Sequence, residues 1–311
     1  VITVLCGGVG GARFLAGLTA EVGQWAVSAV VNTGDDFSLH GLYISPDLDT
    51  VTYTLAGEAN PDTGWGLKNE TWRAMYMLER LAGPSRSWFR LGDADLGTHL
   101  YRTGRLAEGA TLSEVTAEVV AALGLSVRLL PMSDDPVRTT LLLTDSRRVS
   151  FQEYFVQLRH EVAVKEVSYE QTAGAKPTSQ VVSALEDSSL VVLAPSNPVL
   201  SIDPVLSLPG VRQVLASRRE SVVAVSPIVA GAALRGPADR LMRELGEEAT
   251  AAGVARHLAE VIGTLVIDEA DAALADPVSS TGVRPVVADT VMANEARARS
   301  LARTVLAAAT A

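Results

Sequence analysis

The sequence predicts an α/β fold of Rossmann-like build: a mainly parallel sheet flanked by helices, with a helical insert forming a cap. Three observations predict it. Val1-Ile2-Thr3-Val4-Leu5 is an apolar, β-branched run that breaks on Gly7-Gly8-Val9-Gly10-Gly11. A helix-like stretch from Ala12 to Val22 then leads to a second such run, Val27 to Val31, which makes a strand–helix–strand opening. Later apolar runs, Leu190-Val191-Val192-Leu193-Ala194 and Val222 to Val225, stop at Pro195-Ser196-Asn197-Pro198 and Ser226-Pro227, as parallel strands stop at loops.

The intervening elements follow in order. From Asp47 to about Leu123 the pattern is helical, and Trp65, Trp72, Trp88 and Phe89 concentrate there. Val127-Arg128-Leu129-Leu130-Pro131, Thr139 to Leu143 and Val149 to Phe155 read as strands, with Ser133-Asp134-Asp135-Pro136 as a turn. The end of the chain alternates helices with a strand-like Thr264 to Ile267 and closes on an Ala-rich helix. No repeat or low-complexity linker divides the chain. We therefore expect a single α/β domain over residues 1–311, with a helical insert at about 58–125 and a β-rich insert at about 126–185.

Composition excludes several classes. A chain of 311 residues, 48% hydrophobic and 20% charged, has ample material for a core. Its net charge of −10 argues against a nucleic-acid binder, whose affinity rests on a basic face. Cys6 is the single cysteine, so no intrachain disulfide forms and a reducing cytoplasm is expected. The first apolar run breaks on glycine without a basic flank, and no run approaches membrane-spanning length; neither a signal peptide nor membrane attachment is expected.

The first fifty residues carry the chemistry. A glycine turn after the first strand lets backbone amides approach a phosphate at a helix N-terminus, so Gly7, Gly8, Gly10, Gly11 and the nearby Arg13 are candidate phosphate contacts. Asn32-Thr33-Gly34-Asp35-Asp36 ends the second strand beside that turn, and Asn32 joins the candidate nucleotide contacts. Carboxylates so close to a diphosphate call for a divalent cation, Mg²⁺, with Asp35, Asp36 and Asp49 as its expected ligands. Asp47 reads instead as a helix cap, standing just ahead of the run from Leu48. Ser196 and Asn197 end a buried strand on the same crevice and are expected to read a base or hold the diphosphate; the structural alternative is that Asn197 stabilises a proline turn.

Other signals are weaker. The dinucleotide fingerprint requires Gly where this chain has Arg13, and no Gly-Lys-Ser/Thr follows for a P-loop. A dinucleotide oxidoreductase is disfavoured accordingly. His40 and His99 read as ordinary surface or core histidines rather than general bases. The tryptophans and Phe89 read first as the apolar face of the cap, with stacking on a flat ring as the functional alternative.

Taken in order, the glycine turn, Asn32-Thr33-Gly34-Asp35-Asp36, Pro46-Asp47-Leu48-Asp49-Thr50, Leu91-Gly92-Asp93-Ala94-Asp95, Pro131-Met132-Ser133-Asp134-Asp135-Pro136, Ala194-Pro195-Ser196-Asn197-Pro198 and Ser226-Pro227-Ile228 resemble the 2-phospho-L-lactate transferase family of deazaflavin coenzyme F-420 biosynthesis. The resemblance extends to Ala288-Asp289-Thr290-Val291-Met292. It implies transfer of a phosphorylated three-carbon acid, 2-phospholactyl or phosphoenolpyruvyl, from a guanosine-diphosphate-activated donor to the deazaflavin precursor Fo, with GMP leaving. It also implies Mg²⁺ dependence, a cytoplasmic location and a homodimer. Asp49 and Arg90 would contact Fo, Arg90 standing where some members carry Lys. Asp49 and Asp36 are the expected catalytic carboxylates, positioning or deprotonating the attacking ribityl hydroxyl. The alternative is a non-catalytic UDP-sugar-binding regulator of the gluconeogenesis-factor type, which shares the glycine turn and the Asn-Asp segment. No residue type dictates which acid the donor carries.

Overall fold

The computed structural model describes residues 1–84, 87–171 and 174–309. Strand β1 (Ile2–Cys6), helix α1 (Gly8–Val22) and strand β2 (Val27–Val31) form the expected opening. A hairpin of β3 (Phe37–Leu39) and β4 (Leu42–Ile44) follows, and then helices α2 (Pro46–Leu55), α3 (Arg73–Ala82), α4 (Asp93–Ala107) and α5 (Leu112–Ala122). After β5 (Arg128–Pro131), strands β6 (Val137–Leu143), β7 (Arg148–Ser150) and β8 (Val164–Gln171) make an antiparallel sheet in the order β7-β6-β8. Helix α6 (Ser179–Asp187), β9 (Leu190–Leu193), β10 (Val222–Val225), the short pair β11 (Ile228–Val229) and β12 (Ala232–Ala233), β13 (Thr264–Asp268) and β14 (Arg284–Ala288) lead to a last helix, Glu295–Ala308.

The main sheet runs β14-β13-β10-β9-β1-β2-β5, and every pairing in it is parallel. Numbered by their order in the chain, its strands read 3-2-1-4-5-6-7, the doubly wound order with one strand added. The order reverses between β1 and β9. The ligand crevice of folds of this class lies at the carboxyl ends of such strands, here at the glycine turn after Cys6 and the Pro195-Ser196-Asn197-Pro198 turn.

Both faces of this sheet are covered, which is why its strands are apolar throughout rather than alternating. Leu5, Val30, Val191, Leu193, Ala224, Leu265 and Ile267 pack into one layer. Val4, Ala29, Val31, Val192, Val223 and Val266 pack into the other, against Phe14, Leu15 and Leu18 of α1 and Leu301, Ala302 and Val305 of the last helix. These two helices cross with touching backbones at Gly17, where a Cβ would stand 2.5 Å from the Ala298 carbonyl carbon.

Two expectations change, and one element is new. β5 pairs with β2 as the third strand of the main sheet and does not belong to the β-rich segment after it. Of the strand expected over Val149 to Phe155, only the first residues extend; Glu153–Gln157 coils into a π-helical turn because Tyr154 is drawn into the core beside Leu141 and Leu143. The hairpin of β3 and β4 had no counterpart in the sequence reading. No single helix among the described residues is long and apolar enough to cross a membrane.

Candidate active site

The glycine turn is shaped by the protein's own groups. Gly8 has φ +64°, and its amide donates to Asp47 Oδ1 at 2.7 Å. Asp47 Oδ2 accepts from Asn32 Nδ2 at 2.9 Å. A Cβ at Gly7 would collide with the Asp47 carboxylate, and one at Gly11 would lie 2.6 Å from Ser196 Oγ and 2.9 Å from Cys6 Cβ. At Gly10 it would lie 2.6 Å from the Pro195 carbonyl. Asp47 is therefore not the cap of its own helix; Ser45 holds that position, without a side-chain bond. Instead Asp47 seats its carboxylate on the N-terminus of α1, the place where the sequence reading put a phosphate. Burial pushes its carboxyl up to about 6, held back by Asn32 and the Gly8 amide.

The turn after β9 closes the other side. The Gly7 amide donates to Ser196 Oγ at 3.1 Å, and the Ser196 hydroxyl donates back to the Gly7 carbonyl at 2.8 Å. Asn197 Oδ1 accepts from the Val199 and Leu200 amides, capping the helical turn Pro198–Ile202. Gly7, Gly8, Ser196 and the Asn197 carbonyl oxygen thus have internal partners, and the structural alternative for Asn197 is the one the geometry favours. Asn197→Ala is accordingly expected to lower stability by about 1 kcal/mol, as loss of a cap does, while leaving the relative affinities for guanine and adenine nucleotides unchanged. Chemical denaturation paired with nucleotide titration checks both halves.

Asn32 gathers the carboxylates. Its Nδ2 lies 3.3 Å from Asp35 Oδ1 as well as bonding Asp47, and its Oδ1 accepts from the Gly34 amide at 2.8 Å. Asp35 is raised well above the usual carboxylate range by burial and by the charges of Asp47 and Asp36. Asp36 is buried with both oxygens lacking a hydrogen-bond partner of ordinary geometry. Burial pushes its carboxyl up to about 7, against the pull of Ser45, Arg102, Tyr43 and Arg138.

Asp49 has a different setting. On α4, Asp95, His99 and Arg102 recur at helical spacing and face Asp49 and Tyr53 of α2. Arg102 is buried and pairs with both Asp49 oxygens, Nη1 to Oδ2 at 3.1 Å and Nη2 to Oδ1. His99 Nδ1 lies 3.7 Å from Asp49 Oδ2 and its Nε2 lies 3.3 Å from Asp95 Oδ2, while the Tyr53 hydroxyl donates to Asp95 Oδ1 at 2.7 Å. Asp49, Asp95 and His99 bring ligand atoms within 4.8 Å of one another, a grouping able to hold a metal ion. The sequence reading weighed His99 as a lone histidine and did not weigh Asp95 or Arg102 as part of the site. The signal was the Asp-x-x-x-His-x-x-Arg spacing, which puts all three on one helical face.

Arg90 lies on the cap, exposed, its guanidinium 5.0 Å from the Trp72 ring centroid. Trp88 and Phe89 pack edge-on with centroids 5.7 Å apart, and Phe89 and Phe37 lie against the small core of Ile44, Met75 and Leu91. Trp65 and Trp72 are exposed. A cleft of about 480 Å³ lies elsewhere, between α5, β5 and the start of α6, and none of the crevice residues lines it.

Behind the Asn197 turn a second charged cluster holds the helix Asp203–Leu206. His257 places Nε2 2.9 Å from Asp203 Oδ2 and Nδ1 3.0 Å from Glu247 Oε1, and Arg212 donates to Asp203 Oδ1 at 3.1 Å. Burial alone would lower the His257 pKa; Asp203 and Glu247 outweigh it and raise it to about 9. A pKa raised above the unfolded value of 6.5 gives stability that is complete below 6.5 and is lost as pH rises through about 9. His257→Gln is expected to cost on the order of 2 kcal/mol at pH 6 and much less at pH 10. Equal losses at both pH values, measured by denaturant unfolding, would contradict a charged imidazole.

A doubly wound sheet with buried carboxylates and a glycine turn gathered at its switch point, between β1 and β9 where such folds bind ligands, defines a Rossmann-like protein. The chain belongs to the 2-phospho-L-lactate transferase CofD family, whose model matches residues 2–310. It is a transferase of coenzyme F-420 biosynthesis. It is 41% identical to the phosphoenolpyruvate transferase of Kitasatospora aureofaciens, over 99% of this chain and 97% of that one. With the phosphoenolpyruvate transferases of Streptomyces griseus subsp. griseus and Mycobacterium ulcerans it shares 42% and 40% identity, covering 96% and 93% of this chain and 96% and 94% of theirs. Among solved structures it is similar to a UPF0052 family protein from Bacillus halodurans, with a TM-score of 0.67, 16% identity and 98% of each chain covered. That likeness bears on the fold alone.

Proposed function

We propose that the chain moves a phosphoenolpyruvyl group from its guanosine-diphosphate-activated donor to Fo, releasing GMP and making dehydro-F-420-0; the 2-phospholactyl donor, giving F-420-0, is the second candidate. The donor assignment rests on the relatives' names. The observation that carries the chemistry is Asp36: a carboxylate buried beside the crevice, neither oxygen of which has a hydrogen bond of ordinary geometry, with only Ser45 and Tyr43 near it as weak donors. In the step, the terminal ribityl oxygen of Fo bonds to the phosphorus bearing the three-carbon acid. The bond from that phosphorus to the bridging oxygen breaks, and GMP carries the electron pair away. The hydroxyl proton passes to a carboxylate of the Asp36 and Asp49 pair.

Asp36 also fits a cation, because a buried carboxylate without a well-formed hydrogen bond is stabilised by a positive charge. Mg²⁺ held by Asp36 and Asp49, with Asp35 adjoining, would neutralise the donor's diphosphate. Arg102 fixes the Asp49 carboxylate, and Arg13 stands near the donor's phosphates. Arg90, laid over an exposed indole, supplies a cationic platform for the flat ring of Fo. Arg90→Ala is expected to weaken Fo binding about tenfold and GDP binding by less than about twofold; equal weakening of both would assign Arg90 a structural role instead.

We further read the protein as a cytoplasmic homodimer. The exposed Tyr76, Met77 and Leu81 of α3 support a covered surface there. Incubating the purified protein with Fo, Mg²⁺ and each activated donor, and weighing the products, tests the function. Dehydro-F-420-0 with GMP is the expected result, and no product from either donor would overturn the reading.

A further inference from the structure

The donor's diphosphate needs positive charge, and the glycine turn has little left to give. Its Gly7 amide is taken by Ser196 and its Gly8 amide by the carboxylate of Asp47. Beyond a bound cation, side chains beside the turn are a further source of charge. Val9 and Arg13 stand four residues apart on α1 and so share a face. Against that face lies the Thr63-Gly64-Trp65 turn: a Cβ at Gly64 would be 2.8 Å from Val9 Cγ1 and 3.0 Å from Arg235 Nη1. Arg235, which follows β12, donates from that same nitrogen to the Thr63 carbonyl at 2.8 Å. Arg235 thus lies beside Val9 of the helix that carries Arg13, near enough for the two charges to act on each other.

No ion pair to a carboxylate is made by either of them among the described residues. Arg102, Arg105, Arg147, Arg148, Arg212 and Arg240 each have one. Arg13 is half-buried, and its pKa is pushed down first by that burial and then by the charge of Arg235. Arg235 is exposed, but its charge still repels that of the half-buried Arg13, and an anion placed between them removes the repulsion while accepting from both planar forks.

We infer that Arg13 and Arg235 form a clamp for the diphosphate of the activated donor, with Arg235 also holding the Thr63–Trp65 turn over the glycine turn. This rests on the reading that the donor is a nucleoside diphosphate derivative. A diphosphate fits better than a single phosphate because each guanidinium can take one phosphoryl group. The guanidiniums would then hold the leaving group together with the cation proposed at Asp36 and Asp49.

The test is calorimetric titration of inorganic pyrophosphate, GDP and GMP into the parent, Arg13→Ala, Arg235→Ala and Arg235→Lys proteins, with thermal unfolding as a control on folding. Arg235→Ala is expected to weaken GDP and pyrophosphate about tenfold or more and GMP by less than about threefold. Arg235→Lys should recover part of the loss, since it keeps the charge but not the fork. In turnover the apparent KM for the donor should rise while that for Fo stays fixed. Unchanged GDP affinity in Arg235→Ala, or an equal loss for GDP and GMP, would overturn the clamp. Selective loss of pyrophosphate binding in a protein that transfers nothing would keep the clamp and remove the transferase chemistry. Full transfer with undiminished GDP binding in the variant would do the reverse.

Discussion

Asp36→Asn is expected to remove at least about a hundredfold of the transfer rate while making the protein more stable at neutral pH. Activity should fall because the substitution removes the crevice carboxylate that, among those of the described residues, has no hydrogen bond of ordinary geometry within the protein. The rise in stability follows from the burial of the same carboxylate. An acid whose folded pKa is raised from 3.8 to about 7 is held in the fold against the preference of its ionised form. Sign and window are fixed by that shift: the penalty is absent below pH 3.8, grows as pH rises, and is fully developed above about 7. The amide carries no charge, so the gain, on the order of a few kcal/mol, should appear at pH 8 in chelator and shrink towards pH 4. Denaturant unfolding at the two pH values with a rate measurement covers all three statements. A variant that loses both activity and stability would mean that Asp36 is a structural acceptor.

Arg102→Ala should do the opposite, lowering stability by about 3–5 kcal/mol. Its guanidinium is buried, contacts both oxygens of Asp49 and lies 3.3 Å from His99 Nδ1, so truncation leaves Asp49 as an uncompensated charge. Combining it with Asp49→Ala should cost less than the sum of the two single losses, because the second change removes the stranded carboxylate. Additive losses would mean that the pair contributes no coupling. The same geometry makes Asp49→Asn a poor probe of chemistry by itself, since it strands Arg102 in turn. Asp36→Asn separates fold from function more cleanly.

The fold was legible because its strands are short, apolar and each ended by a distinct turn. Val1 to Leu5, Val27 to Val31 and Leu190 to Leu193 announce parallel strands covered on both faces. The hairpin of β3 and β4 was not legible by that rule, with three residues to each strand. Its signal is His40-Gly41, both at positive φ, which suits a tight two-residue turn. Around Val149 to Phe155, β-branched and aromatic residues favour extension, but burial of Tyr154 in the core coils the backbone.

The site was legible as a gathering and opaque as a division of labour. Asp35, Asp36, Asp47 and Asp49 follow β2 closely enough in sequence that a shared crevice could be read. Which of them is free depends on partners far along the chain: Gly8 for Asp47, Gln152 for Asp35, Arg102 for Asp49. Spacing within a motif says nothing about a partner on another element. The glycines show the same gap. A Gly-rich turn records a close approach, and here the approaching atoms belong to Asp47, Pro195 and Ser196.

The seat of Asp47 on α1 bears on the timing of ligand capture. A turn whose shape waits for a phosphate is ordered by the ligand, and part of the binding free energy goes into that ordering. In this chain a tethered carboxylate already fills the place, so the turn takes its final form as the protein folds. Amide hydrogens of Gly7 and Gly8, bonded to Ser196 and Asp47, should exchange as slowly in the free protein as in one saturated with nucleotide. Any ordering on capture is then left to the segments around the turn, and the rim rather than the floor of the crevice governs how quickly a nucleotide enters and leaves.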